Sequence, residues 1–134
     1  MPSIKHQITI KASANNIYEV IATKAGIRKW LTKEDGWKIT GEENPGDILL
    51  FHFGESHHEM KILKLESNKE VKWECTVGHP EWIGTTVHFS IEVKEDKCIL
   101  HFTQEGWANK TKFFEQCNQV WEGNISDIKK LAEG

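Results

Sequence analysis

Two periodicities divide this chain. Through most of its first hundred residues, apolar side chains return at every second position, the period of a half-buried strand. Ile4, His6, Ile8 and Ile10 alternate with Lys5, Gln7, Thr9 and Lys11. Val71, Trp73, Cys75 and Val77 alternate with Lys72, Glu74 and Thr76, and Thr85, Val87, Phe89, Ile91 and Val93 repeat the pattern. Cys98, Leu100, Phe102 and Gln104 form one face of a last strand, opposite Ile99, His101, Thr103 and Glu105. From Asn109 to Leu131 the steps become three and four. Phe113, Phe114, Cys117, Val120, Trp121, Ile125, Ile128 and Leu131 then predict a long helix with one buried face.

Turn residues set the connections. Ser13 stands as an N-cap before a short helix containing Ile17, Tyr18, Val20 and Ile21. A second short helix holds Ala25, Ile27, Trp30 and Leu31, with a break near Thr23–Lys24. Turns at Asp35-Gly36 and Asn44-Pro45-Gly46 bracket a brief strand over Trp37–Thr40. Asp47–Phe53 and His57–Glu66 pair across Gly54-Glu55-Ser56; Ser67-Asn68-Lys69 and Glu95-Asp96-Lys97 make further turns, and Gly78–Gly84 is a loop. Strands joined by short turns give an antiparallel meander, and its apolar face needs a cover. The expected fold is α+β: a curved antiparallel sheet of about six or seven strands around the C-terminal helix, with two short helices after the first strand.

Composition narrows the function. The 134 residues are expected to form one domain, 1–134, long enough for a core without staples. A net charge of −3 with no charge block gives no general attraction to nucleic acid or to an anionic membrane. No signal-peptide core and no transmembrane stretch is present, so a cytoplasmic location is expected. Cys75, Cys98 and Cys117 are widely spaced among apolar residues and read as free buried thiols. The sequence has no HExxH, HxH, CxxC or GxSxG. His57-His58 point to opposite faces of a strand, so no metal site is expected and no cofactor is implied. Paired acids such as Glu42-Glu43 fall in turns; Glu105 beside Trp107 is the one acid expected near a pocket mouth.

Six tryptophans (Trp30, Trp37, Trp73, Trp82, Trp107 and Trp121) are unusual for this length. They read either as a bulky core or as pocket walls. The alternation points Phe51, Phe53, Met60, Trp73, Cys75, Phe89, Phe102 and Gln104 toward the long helix, along with Ile62, Val71, Val87 and Leu100. Cys117, Val120, Trp121 and Asn124 would answer them from the helix. Gln104 and Asn124 are polar at interior positions, and a buried amide without partners costs about 1–3 kcal/mol, so each needs protein, water or ligand. Gly123 in mid-helix leaves room beside Trp121 or admits a close strand.

Several stretches together resemble a known family. Ile17-Tyr18-Glu19-Val20-Ile21-Ala22-Thr23 and Ile27-Arg28-Lys29-Trp30-Leu31 are similar to its opening helices. Gln104-Glu105-Gly106-Trp107 is similar to a strand end where His often stands at the position of Gln104. Trp121, Ile125, Ile128 and Leu131 resemble its final helix, where Gly often precedes the Trp and Val120 does here. The chain is thereby identified as resembling the START-like (SRPBCC) superfamily and, within it, the small proteins homologous to the C-terminal domain of the Hsp90 ATPase activator. A departure from the full-length activator, the absence of its separate N-terminal domain, is expected. The resemblance implies a helix-grip fold and a cavity between helix and sheet. The expected function is noncatalytic binding of a small hydrophobic or amphipathic ligand by Trp30, Phe51, Phe53, Met60, Trp73, Cys75, Trp82, Phe89, Phe102, Gln104, Cys117, Trp121 and Asn124. Residues Gly78–Gly84 would be part of the gate. The alternatives are a protein-interaction or chaperone-cofactor module and a cyclase- or hydrolase-type enzyme. A monomer or weak homodimer is expected.

Overall fold

The computed structural model describes residues 2–31 and 37–134, with backbone only at Trp37. The turn expected at Asp35-Gly36 lies outside them. The element order is β1 (Ile4–Ile10), α1 (Ala14–Ala22), α2 (Lys24–Leu31), β2 (Trp37–Gly41), β3 (Ile48–Phe53), β4 (Ser56–Glu66), β5 (Glu70–Val77), β6 (Thr86–Val93), β7 (Cys98–Glu105) and α3 (Lys112–Glu133). The architecture is α+β, a helix-grip fold with an open, curved, seven-stranded antiparallel sheet. Its strand order is β1-β7-β6-β5-β4-β3-β2. Each of β2 to β6 pairs with the strand that follows it. β1 closes on β7 across the chain, matching Ile4 with Gln104 and Ile10 with Cys98.

The period-two pattern sets which face is inside. On β7 Cys98, Leu100, Phe102 and Gln104 are all buried, and on β5 Val71, Trp73 and Cys75 are. Their rings interlock: Phe51 meets Trp73 at 5.6 Å, Trp73 meets Phe89 at 5.6 Å, and Phe89 meets Phe102 at 5.2 Å. The aromatic inner face therefore fills its own space.

Thr23 makes the break between α1 and α2. Its hydroxyl donates to the Glu19 carbonyl at 2.6 Å and accepts from the Gly26 amide at 3.0 Å, so one side chain finishes α1 and caps α2. Gly26 is needed for a steric reason. A Cβ there would lie 2.2 Å from the Glu19 carbonyl oxygen.

α3 starts at a Thr111 N-cap, whose hydroxyl accepts from the Phe114 amide at 3.2 Å. It lies against β1 and is tied there by His6 Nε2 to the Asn118 carbonyl at 3.2 Å and by Lys129 Nζ donating to the Thr9 carbonyl at 2.9 Å. Its buried stripe is Phe114, Cys117, Trp121, Asn124, Ile125, Ile128 and Ala132. This corrects three assignments from the apolar pattern. Val120 is 61 % exposed and Leu131 is 36 % exposed, and Phe113 is only half-buried. Each lies off the stripe's axis: Val120 is one residue, about 100°, from Trp121.

Candidate functional site

A groove of about 460 Å³ opens where α3 passes the β3–β4 hairpin and the loop 78–84. Its walls are built from four parts of the chain. α2 contributes Trp30 and Leu31; the hairpin contributes Phe53 and His58; the loop contributes Trp82; α3 contributes Phe113, Cys117, Gln119, Val120, Trp121, Gly123 and Asn124. The volume is in the range of small-molecule pockets, and half of the lining residues carry rings.

Trp82 and Trp121 face the groove with planes only 14° apart and centroids 6.3 Å apart. Trp121 is held by a buried chain of hydrogen bonds. Its indole N–H donates to Gln104 Oε1 at 2.9 Å, and Gln104 Nε2 donates to Thr85 Oγ1 at 3.0 Å. Thr85 Oγ1 in turn donates to the Trp82 carbonyl at 2.7 Å. The same chain therefore fixes both groove tryptophans. Gln104 has its partners within the protein and lies behind the wall.

Asn124 differs. It is 8 % exposed and lines the groove; its carboxamide bonds to no other described residue and keeps its polar atoms open to solvent. Gly123 beside it would place a Cβ with nothing within 4 Å. It leaves space; no strand approaches it.

The loop 78–84 is latched to α3. The Thr111 hydroxyl donates to Glu81 Oε1, the Trp82 indole N–H donates to Cys117 Sγ at 3.3 Å, and His79 stacks on Phe113 at 3.7 Å. Below the latch, His58 meets the Trp82 ring edge-on at 4.5 Å and the Phe53 ring at 5.4 Å. Gly78 (φ +150°) is required there, because a Cβ would fall 2.9 Å from the His58 ring. His58 Nδ1 is buried without a partner. Burial, with His79 and His57 nearby, lowers the His58 pKa to about 4. Burial also raises the Cys117 thiol, against the Trp82 hydrogen bond that lowers it. At neutral pH both groups are uncharged.

Of the thirteen residues expected to line a cavity, the structure brings Trp30, Phe53, Trp82, Cys117, Trp121 and Asn124 together in the groove. Phe51, Met60, Trp73, Cys75, Phe89, Phe102 and Gln104 are packed in the core behind it. Burial pushes the Cys75 thiol up to about 11. Leu31, His58, Phe113, Gln119, Val120 and Gly123 complete the lining. Glu105 is exposed beside Pro2, Gly84 and Gly106, away from the groove, which corrects its expected place at a pocket mouth. No group of three or more potential metal ligands occurs among the described residues. No helix among them is long and apolar enough to cross a membrane.

Comparison with known proteins agrees with this fold. The family model for Activator of Hsp90 ATPase homolog 1-like protein matches residues 11–133. No curated protein matches the chain. Among solved structures, the Aha1 dimer from Colwellia psychrerythraea is 33 % identical, with a TM-score of 0.88 over 99 % of this chain and 97 % of that one. A protein from Mesorhizobium loti is 15 % identical, with a TM-score of 0.79 over 97 % of this chain and 96 % of that one. A protein from Bacillus halodurans is 14 % identical, with a TM-score of 0.78 over 99 % of this chain and 98 % of that one. The last two share the fold alone.

Proposed function

The chain belongs to the Activator of Hsp90 ATPase homolog 1-like family, and from that premise we propose that it is a noncatalytic module binding a small, mainly apolar molecule in the groove beside α3. One observation carries this reading. Asn124 bonds to no other described residue and opens its amide into a ring-lined groove, whereas the other interior amide, Gln104, is satisfied within the protein. An amide open to the groove can exchange water for a ligand carbonyl or hydroxyl, a hydrogen bond worth about 1 kcal/mol net.

The groove's electrostatics favour binding over chemistry. A thiol nucleophile needs a lowered pKa and a partner base. Cys117 is raised and His58 is lowered, the reverse of an activated pair. Native mass spectrometry of the purified chain is the test. A small-molecule adduct that disappears under denaturing conditions is expected, and Gly123→Phe, which projects into the open space, should abolish it. A bare mass, with no thermal shift across a panel of apolar compounds, would remove the reading.

Self-association is a second reading, as a monomer–homodimer equilibrium. It rests on the 33 % identical relative, described as a dimer, and on exposed Ile83 and Val120. Sedimentation equilibrium at increasing concentration would decide it: a single monomer mass throughout excludes it.

A further inference from the structure

The polar lining of the groove decides which polar group a bound apolar molecule carries. Among the described residues, no Lys, Arg, Asp or Glu lines the groove. The polar groups that do are an amide at Asn124, a second, exposed amide at Gln119, a thiol whose pKa burial raises and an imidazole whose pKa burial lowers. All are neutral at pH 7. An ionised headgroup seated against these walls would lose part of its hydration and find no counter-charge among the described lining residues. A neutral carbonyl, hydroxyl or amine would lose little and gain the Asn124 hydrogen bond. Shape adds a constraint. The walls are flat rings, with Trp82 and Trp121 nearly parallel. The distance along α3 from Cys117 to Asn124 is about 10 Å, at 1.5 Å per residue.

We propose that the groove selects uncharged, flat, ring-based molecules carrying one neutral hydrogen-bonding group, seated on the Asn124 carboxamide, and rejects carboxylate or sulfonate amphiphiles of the same framework. This rests on the ligand-binding reading above and narrows it to a chemical class.

The test uses two fluorescent probes with one ring framework. N-phenyl-1-naphthylamine is neutral, and its amine N–H can donate to Asn124 Oδ1. Its analogue 8-anilinonaphthalene-1-sulfonate adds only an anionic group. Titration of the intact chain should show the neutral probe binding about tenfold tighter or more, since a desolvated anion has no partner. Asn124→Ala should weaken the neutral probe about fivefold, the value of one neutral hydrogen bond, with Asn124→Ser as a second variant if the first perturbs α3. Gly123→Phe should block the neutral probe, and Val120→Trp, at an exposed groove position, is the alternative plug. Equal affinities for both probes, both lost on plugging, would overturn the selectivity while leaving ligand binding in place. Unchanged affinity in both Asn124 variants would overturn the seat. Binding of neither probe, or binding indifferent to both plugs, would overturn the selectivity and the ligand-binding reading together.

Discussion

His58 shows how a single residue reports on the groove's interior. It is half-buried against Trp82 and Phe53, and its pKa is about 4 against an ordinary 6.5. Between those pH values the unfolded chain takes up a proton at this position that the folded chain refuses. The neutral-state preference is therefore fully satisfied above pH 6.5 and is lost progressively as pH falls toward 4. With allowance for solvent screening, the wild-type chain should lose about 1 kcal/mol more than His58→Gln between pH 7 and pH 5. Urea unfolding at both values measures this. Identical losses would mean that the ring is solvated. Gln104 makes a different residue-scale case. It accepts from Trp121 and donates to Thr85, and all three are buried. Gln104→Leu keeps the volume but leaves the Trp121 indole N–H unpaired. It should destabilise by about 2 kcal/mol in denaturant unfolding. A loss under 0.5 kcal/mol would mean the bridge is not needed.

Elements were the most legible scale, and their limits have physical causes. Strand faces follow from period two because a one-residue error flips every side chain, so the alternation on β5, β6 and β7 leaves one reading. Helix faces are less sharply defined. Counting apolar types placed Val120 and Leu131 on the stripe, while the angular positions of Cys117, Trp121, Asn124, Ile128 and Ala132 define it. Asn124 was legible as an interior polar residue because its angle lies on that stripe. The seven core residues expected to line a cavity were not separable from groove residues, because both have the same composition. Only packing distances distinguish a filled aromatic layer from an open one. Glycine shows the same dependence on context. Gly26 lies in α2 where a Cβ would meet the Glu19 carbonyl oxygen at 2.2 Å, whereas Gly123 lies in α3 with nothing within 4 Å. One substitution should then have opposite signs. Gly123→Ala should stabilise by about 1 kcal/mol through helix propensity. Gly26→Ala should destabilise by about 3 kcal/mol through the forced separation of α1 and α2. Thermal unfolding of the two variants side by side checks both; destabilisation by Gly123→Ala would show that a Cβ there does not meet open space.

At the scale of the whole molecule, Trp121 is the wall between two kinds of interior. On the core side it meets Phe102 at 4.4 Å, Phe89 at 6.2 Å and Trp30 at 6.1 Å; on the other it faces Trp82 and the groove. This ring packs on Phe102 of β7 and Phe89 of β6, while the bonds to β1 hold the helix at its flank. Trp121→Ala therefore has two consequences that ordinary core truncation does not combine. It should destabilise by about 3–5 kcal/mol, from lost burial and the cavity left behind. It should also join that cavity to the groove, because Trp121 both packs on Phe102 at 4.4 Å and lines the opening. The variant should then accept a bulkier neutral ring system than the wild type, with a lower melting temperature that the ligand restores by mass action. Denaturant unfolding with and without such a ligand measures both. A loss under 1 kcal/mol would place Trp121 outside the core. A full loss that no ligand recovers would mean that the core collapses into the gap and that the groove depends on Trp121 for its existence.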